Sequence, residues 1–491
     1  MTAQTTIQRG AHVLHHAVVE TRRGRAVSLL ILCIAAGVVV GLASALVNPL
    51  ILLATLPLLT VGVWALRSDE RALWLLIVVI AILPRFAAPV KFVLTPTFLD
   101  LALVMLAVSW LLRSNKHPLQ LQQVPITLPL VSLVVVAIVT FIVGLPNGAL
   151  TPLVLRRFAE LVFSLLMVFV LIGILREQQV LFRAVKVVIL TGALSAFIGI
   201  ALYVINGDLA IRLLSALRPF GYPTGTDVLR YILDDPAQMQ RATGLWIDPN
   251  AFGGYLLVCG CLTVPQLFTR KPLLPRIVTL FALGLITLAL VLTVSRGAML
   301  GLLLVALALG VIRYRKLLIL TLIVVVLALV LPQTANLISH FAAGFAGQDL
   351  ATQMRLGEYK DAFRLIARYP LLGVGFADTP DVDLYIGVSS MYLLIAQQMG
   401  LLGVSAFLAT MATLYASALR IRKRMWSDDR VSAVWLGAFG AVTGALISGI
   451  FDHYFFNIDF HNSVMLMWLM VAIAIASQAD ADKIEPYGNK R

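Results

Sequence analysis

Fourteen apolar runs follow one another along this chain, separated for the most part by short charged segments. They fall near residues 27–47, 49–66, 72–84, 97–112, 127–145, 154–175, 184–205, 251–268, 277–294, 297–312, 317–333, 389–416, 432–451 and 461–478. Crossing ~30 Å of hydrocarbon takes about 20 helical residues. Several runs are shorter, and 277–294 and 297–312 are parted only at Ser295-Arg296-Gly297. Backbone groups in lipid must find partners inside the protein, and the runs lack the alternation of a membrane barrel, so they read as helices. The expected fold is all-α: a polytopic transmembrane bundle of about 12–14 spans.

Composition agrees. Of 491 residues, 60% are hydrophobic and 13% charged, against roughly 25% charged in soluble domains. The 38 Lys plus Arg and 24 Asp plus Glu cannot coat a soluble exterior of this size. That excludes a soluble enzyme, a disordered chain and a nucleic-acid-binding module. Cys33, Cys259 and Cys261 lie in apolar runs and offer no disulfide framework or metal-ligand spacing.

The formal charge of +14 reads as topology. With the N-terminus in the cytoplasm, 25 of the 38 basic residues fall on the cytoplasmic side and 13 on the other. The inner face then carries +16 and the outer −2, as the positive-inside rule expects. Both termini are expected on the cytoplasmic side. Arg22, Arg23 and Arg25 before an apolar run with Ala43-Ser44-Ala45 resemble a signal peptide. The run exceeds the ~7–15 residues of a signal core, so an uncleaved first helix is expected.

The organisation that follows is a cytoplasmic segment 1–26, N-terminal helices 27–205, an extracytoplasmic loop 206–250, central helices 251–333, a second long loop 334–388, C-terminal helices 389–478 and a cytoplasmic tail 479–491. Long outward loops on a compact bundle are where function concentrates.

The first loop ends in Arg241-Ala-Thr-Gly-Leu-Trp-Ile-Asp248-Pro249-Asn250. Asp248 is placed to cap a helix that Pro249 and Asn250 open. Arg241 beside that N-terminus forms a pair of positive features suited to an anion. Arg296 between two apolar helices is costly unless it reaches headgroups or pairs. Its guanidinium matches a lipid-borne phosphate better than a Lys would, with Gly297 easing the turn.

In the second long loop, Leu356, Tyr359, Phe363, Ile366 and Ala367 recur at helical spacing, and Pro370 stops the pattern. An amphipathic helix results, lying on the membrane surface or capping the bundle. The glycines of Leu371-Leu372-Gly373-Val374-Gly375-Phe376 lack the setting of a nucleotide loop. Arg156 and Glu160 form an i,i+4 ion pair. Gly440 and Gly444 make a small-xxx-small packing motif. In the last outer loop, His453 beside Asp452 and Tyr454 is either an interfacial anchor or a proton acceptor.

Arg241-x-x-Gly-x-x-x-Asp-Pro-Asn before a span, Ser-Arg-Gly at a helix junction, Pro-Leu-Leu-Gly-Val-Gly in one long loop, and Tyr392-Leu393 ahead of Gly400-Leu401-Leu402-Gly403 together resemble the O-antigen ligase and polymerase superfamily, over roughly 241–416. The resemblance implies transfer of a glycan from an undecaprenyl-diphosphate carrier to a glycan or lipid acceptor hydroxyl at the outer leaflet, with no cofactor and no metal. It implies Arg241, Arg296 and Arg355 as diphosphate-binding residues, with Ser389, Ser390, Tyr392, Asp248 and Asn250 lining the acceptor pocket.

One departure stands out. The family's His-Asn pair is Ser389-Ser390 here, and its acidic residue is Gln398. A serine hydroxyl is no base near neutral pH. Either the base has moved, to His453, Asp452 or Glu358, or leaving-group stabilisation carries the reaction, or catalysis has been lost. Competing readings are a multi-span transporter of a small anion or lipid-linked saccharide, and a silent member of a glycan-export complex.

Overall fold

The computed structural model describes Pro57 and residues 60–88, 95–113, 124–330, 346–347, 350–379 and 387–479. The chain divides into two compact units, Met1–Trp64 and Ala65–Arg491. The expected span 27–47 and most of 49–66 lie outside the described residues, as do Cys33, the segment 1–26 and nearly all of 331–349 and 479–491.

Each of the other expected spans coincides with a helix: α1 (Asp69–Ile82), α2 (Phe98–Leu112), α3 (Thr127–Gly144), α4 (Pro152–Leu175), α5 (Gln178–Val204), α7 (Pro249–Phe268), α8 (Arg276–Leu292), α9 (Arg296–Ile312), α10 (Arg315–Val330), α12 (Met391–Met425), α13 (Asp429–Phe451) and α14 (His461–Ala476). The first long loop contributes a short helix, α6 (Gly207–Ser215), and a two-residue antiparallel pair, β1 (Arg230–Tyr231) with β2 (Gln240–Arg241). The second contributes α11 (Leu350–Arg368). Among the described residues, seven helices are long and apolar enough to cross a membrane, and α2, α8 and α9 are shorter apolar helices. Outward-facing Leu128, Val135 and Ile142 of α3, and Ile277, Leu280 and Phe281 of α8, are exposed. Apolar side chains on the outside of a helix bundle mark a surface solvated by lipid.

The core centres on α7 and α14, the most enclosed helices. α7 packs on α13, α8 and α9, and α14 packs on α4 and α13. Small residues permit the close approach. A Cβ on Gly440 would meet Val305 at 3.0 Å and one on Gly444 would meet Leu257 at 2.9 Å, so the motif read from sequence works as a packing seam.

α12 departs from the single helix expected over 389–416. At Gly400 the backbone turns to φ 62°, ψ −166° and the helix breaks. The freed groups are taken up by the segment after α11. Val374 donates its N–H to the Gln397 carbonyl (2.8 Å) and Gly375 to that of Gln398 (3.0 Å). In return Leu401 donates to Pro370 O (2.8 Å) and Leu402 to Leu371 O (3.3 Å). Such an exchange is what permits irregular backbone inside a membrane bundle. The glycines of the Leu-Leu-Gly-Val-Gly stretch serve this contact. Gly373 and Gly375 take φ of 65° and 85°, and Gly375 lies against the Gly144 backbone of α3.

α11 forms as expected, with its inward face corrected. Ala362 and Leu365 are buried, Arg355, Glu358 and Tyr359 are half-buried on the same side, and Leu356 and Phe363 are exposed. The helix thus turns Arg355 and Glu358 toward the bundle and leaves part of the expected stripe outside.

Candidate functional site

The end of the first long loop is stitched to the C-terminus of α8. Ala242 donates its N–H to Leu292 O (2.8 Å), and Arg241 Nε donates to Thr293 O (2.8 Å). These are among the carbonyls that a helix end leaves without intrahelical partners. A terminal nitrogen of Arg241 donates to Asn250 Oδ1 (2.6 Å), so the Asn fixes the plane of the guanidinium. Asp248 is the cap of α7, and its Oδ1 accepts the N–H groups of Asn250 and Ala251, each at 2.8 Å. The helix N-terminus offered by the sequence as an anion partner is therefore already taken by Asp248.

Between α8 and α9 the turn is made by Val294 at φ 55°, not by Gly297. Gly297 lies within α9, where a Cβ would crowd Phe451 at 3.2 Å. Ile247, one residue before Asp248, also has positive φ, 64°. For β-branched residues this conformation costs about 1–3 kcal/mol each. Both strained positions flank the arginine cluster.

Arg241, Arg296 and Arg355 come together. Burial lowers the pKa of Arg241 to about 10; Asp248 and Asp452 pull it back up, while Arg355 and Arg296 push it down. Asp452, at the C-terminus of α13, has its carboxyl raised above the ordinary range by burial, opposed by His453 and Arg355 and reinforced by Asp248. Five charged groups from four separate stretches thus share one field. Burial also raises the Tyr359 phenol, while Arg355, Glu358 and Asp452 all act on it.

The remaining site residues surround this cluster. Glu358 Oε2 accepts the Ser389 N–H (2.9 Å), and Tyr359 donates to Ser389 O (3.1 Å), which ties α11 to the entry of α12. Ser390 is the buried cap residue of α12, with no side-chain capping bond. The Tyr392 hydroxyl donates to Leu446 O (2.9 Å), across to α13. Asp452 accepts the His453 N–H on Oδ1 (2.8 Å), and its carbonyl accepts from Met391 N (3.0 Å). Asn457 Oδ1 accepts the Asp459 N–H (2.8 Å), so Asn457 Nδ2 is the atom that faces His453 Nδ1 (3.2 Å). His453 Nδ1 is then the acceptor of that contact.

The loop carrying Asp452 rests on α7 through Tyr454. Its hydroxyl lies 2.6 Å from Ser448 Oγ, and its ring occupies the place of a Gly254 side chain, whose Cβ would fall 2.2 Å away. Gly254→Ala is expected to destabilise the protein by about 1–3 kcal/mol, read as a lowered thermal midpoint in detergent; an unchanged midpoint would show that the loop is not seated as described.

A second cluster escaped the sequence reading in part. The Arg156–Glu160 pair is present (Nε to Oε1, 3.2 Å), but Glu160 also faces His461 Nδ1 (3.3 Å), and His461 Nε2 meets Ser164 Oγ (3.0 Å). Asp100, Glu160 and His461 place ligand-type atoms within 4.8 Å of one another. By donor type the trio suits a divalent ion. The Arg156 guanidinium already supplies a positive charge there, and Asp100 Oδ2 accepts from the Thr97 N–H (2.7 Å) and hydroxyl (2.8 Å). The only sequence signal for His461 was a histidine heading an apolar run.

These observations define a polytopic helical membrane protein with an arginine-rich, carboxylate-moderated cluster at one end of its bundle. A family model described as O-antigen ligase matches residues 281–408, which supports assignment to the O-antigen ligase superfamily. The match covers roughly a quarter of the chain and contains Arg296, Arg355, the Leu-Leu-Gly-Val-Gly stretch and Gly400. Arg241, Asp248, Asn250, Asp452 and His453 lie outside it. No curated protein matches the chain.

Proposed function

We propose that the protein is a glycan ligase or polymerase that takes a saccharide from an undecaprenyl-diphosphate carrier at the outer leaflet of the bacterial inner membrane, with both termini in the cytoplasm. The observation that carries this reading is the gathering of Arg241, Arg296 and Arg355 in one field with Asp452. The acceptor hydroxyl attacks the anomeric carbon, and the carbon–oxygen bond to the diphosphate breaks. The electron pair leaves on the diphosphate, where the arginines meet the charge that develops, the kind of interaction that lowers a barrier most. The hydroxyl proton passes to a carboxylate.

Asp452 is that base. Its electrostatic partners include the cluster arginines, whereas His453 uses Nδ1 to accept from Asn457 and Glu358 holds the Ser389 amide. The tie from Glu358 to the chain at Ser389 makes Glu358 a positioning residue. Because Asp452 has a raised pKa, it accepts protons only at higher pH than an ordinary carboxylate. Rates in proteoliposomes should therefore fall on acidification at a pH above the usual carboxylate range. Asp452→Asn should remove about 10²–10⁴-fold of the rate. A variant with wild-type turnover would exclude Asp452 as the base. Under this reading Ser389→His adds no rate; a large gain would mean that the site at Ser389 is merely degraded.

A further inference from the structure

A cavity of about 740 Å³ is lined by Ile247 and Ala251, the chain neighbours of Asp248 and Asn250, together with Trp246, Arg85, Glu160, His461 and Asn462. Its size is that of a small-molecule site. Glu160, His461 and Asn462 are 7, 9 and 7% exposed. Glu160 Oε1, His461 Nδ1 and Asn462 Nδ2 are all buried there with no hydrogen-bond partner among the described residues. Glu160 does face Arg156 and His461 as charges, but the alignment of a hydrogen bond is missing, and no described residue accepts from Asn462 Nδ2. Native proteins leave few such atoms, and each calls for an explanation. The three are an acceptor, an atom that can do either, and a donor. A ligand that answers all of them must both donate and accept at closely spaced points, which is the chemistry of a polyhydroxylated ring. Beside them the Arg85 guanidinium lies over the Phe460 ring, 5.1 Å from its centroid.

We infer that this cavity binds a sugar unit of the acceptor glycan, with Glu160, His461 and Asn462 holding its hydroxyls. The inference deepens the glycan-transfer reading and rests on it for the word acceptor. Asp248 links the two places: it caps α7 beside Arg241, and its charge is felt by Arg85 as well. A sugar held in the cavity would therefore lie beside the cluster that receives the diphosphate.

The test uses the full chain in nanodiscs. The probe is the set of delipidated oligosaccharides released by mild acid from the producing cell's own surface polymer. Wild type should bind them. Asn462→Leu removes one partner, and Leu153→Trp fills the cavity from a half-exposed wall position. Each should weaken binding by about ten-fold or more, a loss of 1.4 kcal/mol, while Arg241→Gln should leave it unchanged. Unaltered binding in both cavity variants, equal loss in Arg241→Gln, or no binding by wild type would overturn the inference. Transfer measured in parallel separates the two claims. Wild type that binds but transfers nothing refutes the enzymatic reading alone, and wild type that transfers without binding refutes the cavity alone.

Discussion

Arg241→Gln should cost about 10²–10³-fold in glycan transfer, the loss typical of removing one preorganised donor from a developing anion. The protein should still fold, because Gln can keep one of the two hydrogen bonds, to Thr293 O or to Asn250 Oδ1. Arg241→Lys should fare little better: an ammonium cannot hold both partners and present a planar edge to a phosphate. The wild-type rate should also fall as pH rises through about 10, since the guanidinium is cationic below that value and loses its charge above it. Transfer from a lipid-diphosphate donor in proteoliposomes reads all of this. Turnover that survives Arg241→Gln would end the diphosphate-clamp reading.

Gly400→Ala is expected to be severely damaging. The added Cβ would sit 2.2 Å from the Leu371 carbonyl oxygen, and the residue takes φ 62°. Neither partner can retreat, because Leu401 and Leu402 are hydrogen-bonded to the same segment. A loss of about 4 kcal/mol or more, the range reserved for broken backbone and packing arrangements, should appear as little or no folded protein in detergent extracts. Gly357→Ala is the control. That position lies on α11 with nothing within 4 Å, and alanine there should be neutral or stabilising by about 0.5–1 kcal/mol. Equal yields from both variants would refute the interlock.

Much of the bundle was legible because lipid imposes a simple rule: a run of apolar residues of the right length forms a helix and little else. The cap at Asp248 was legible for a similar local reason. Arg296 stood out because a guanidinium between two apolar helices needs a partner, Arg241 because it stands beside a capped helix N-terminus, and Arg355 through the family resemblance alone. Their convergence was not readable, since it depends on which helices neighbour one another. Local signals also failed at Val294, which turns where Gly297 was expected to, and at Gly400, whose role is set by a carbonyl 29 residues earlier in the chain. The hydroxyl-binding cavity was the least visible, because Glu160 satisfied the local rule for an i,i+4 pair with Arg156 and gave no hint that His461 stood opposite.

The exchange of four backbone bonds between residues 370–375 and 397–402 has a practical meaning for recombining this protein with relatives. Loop and span are a single module. A chimera that imports the second long loop while retaining the host's α12 would strand amides and carbonyls inside the bilayer, however well its arginines matched. Crossover points placed before α11 and after Gly403 keep both halves of the join together, and they set the smallest block within which donor or acceptor preference can be transplanted.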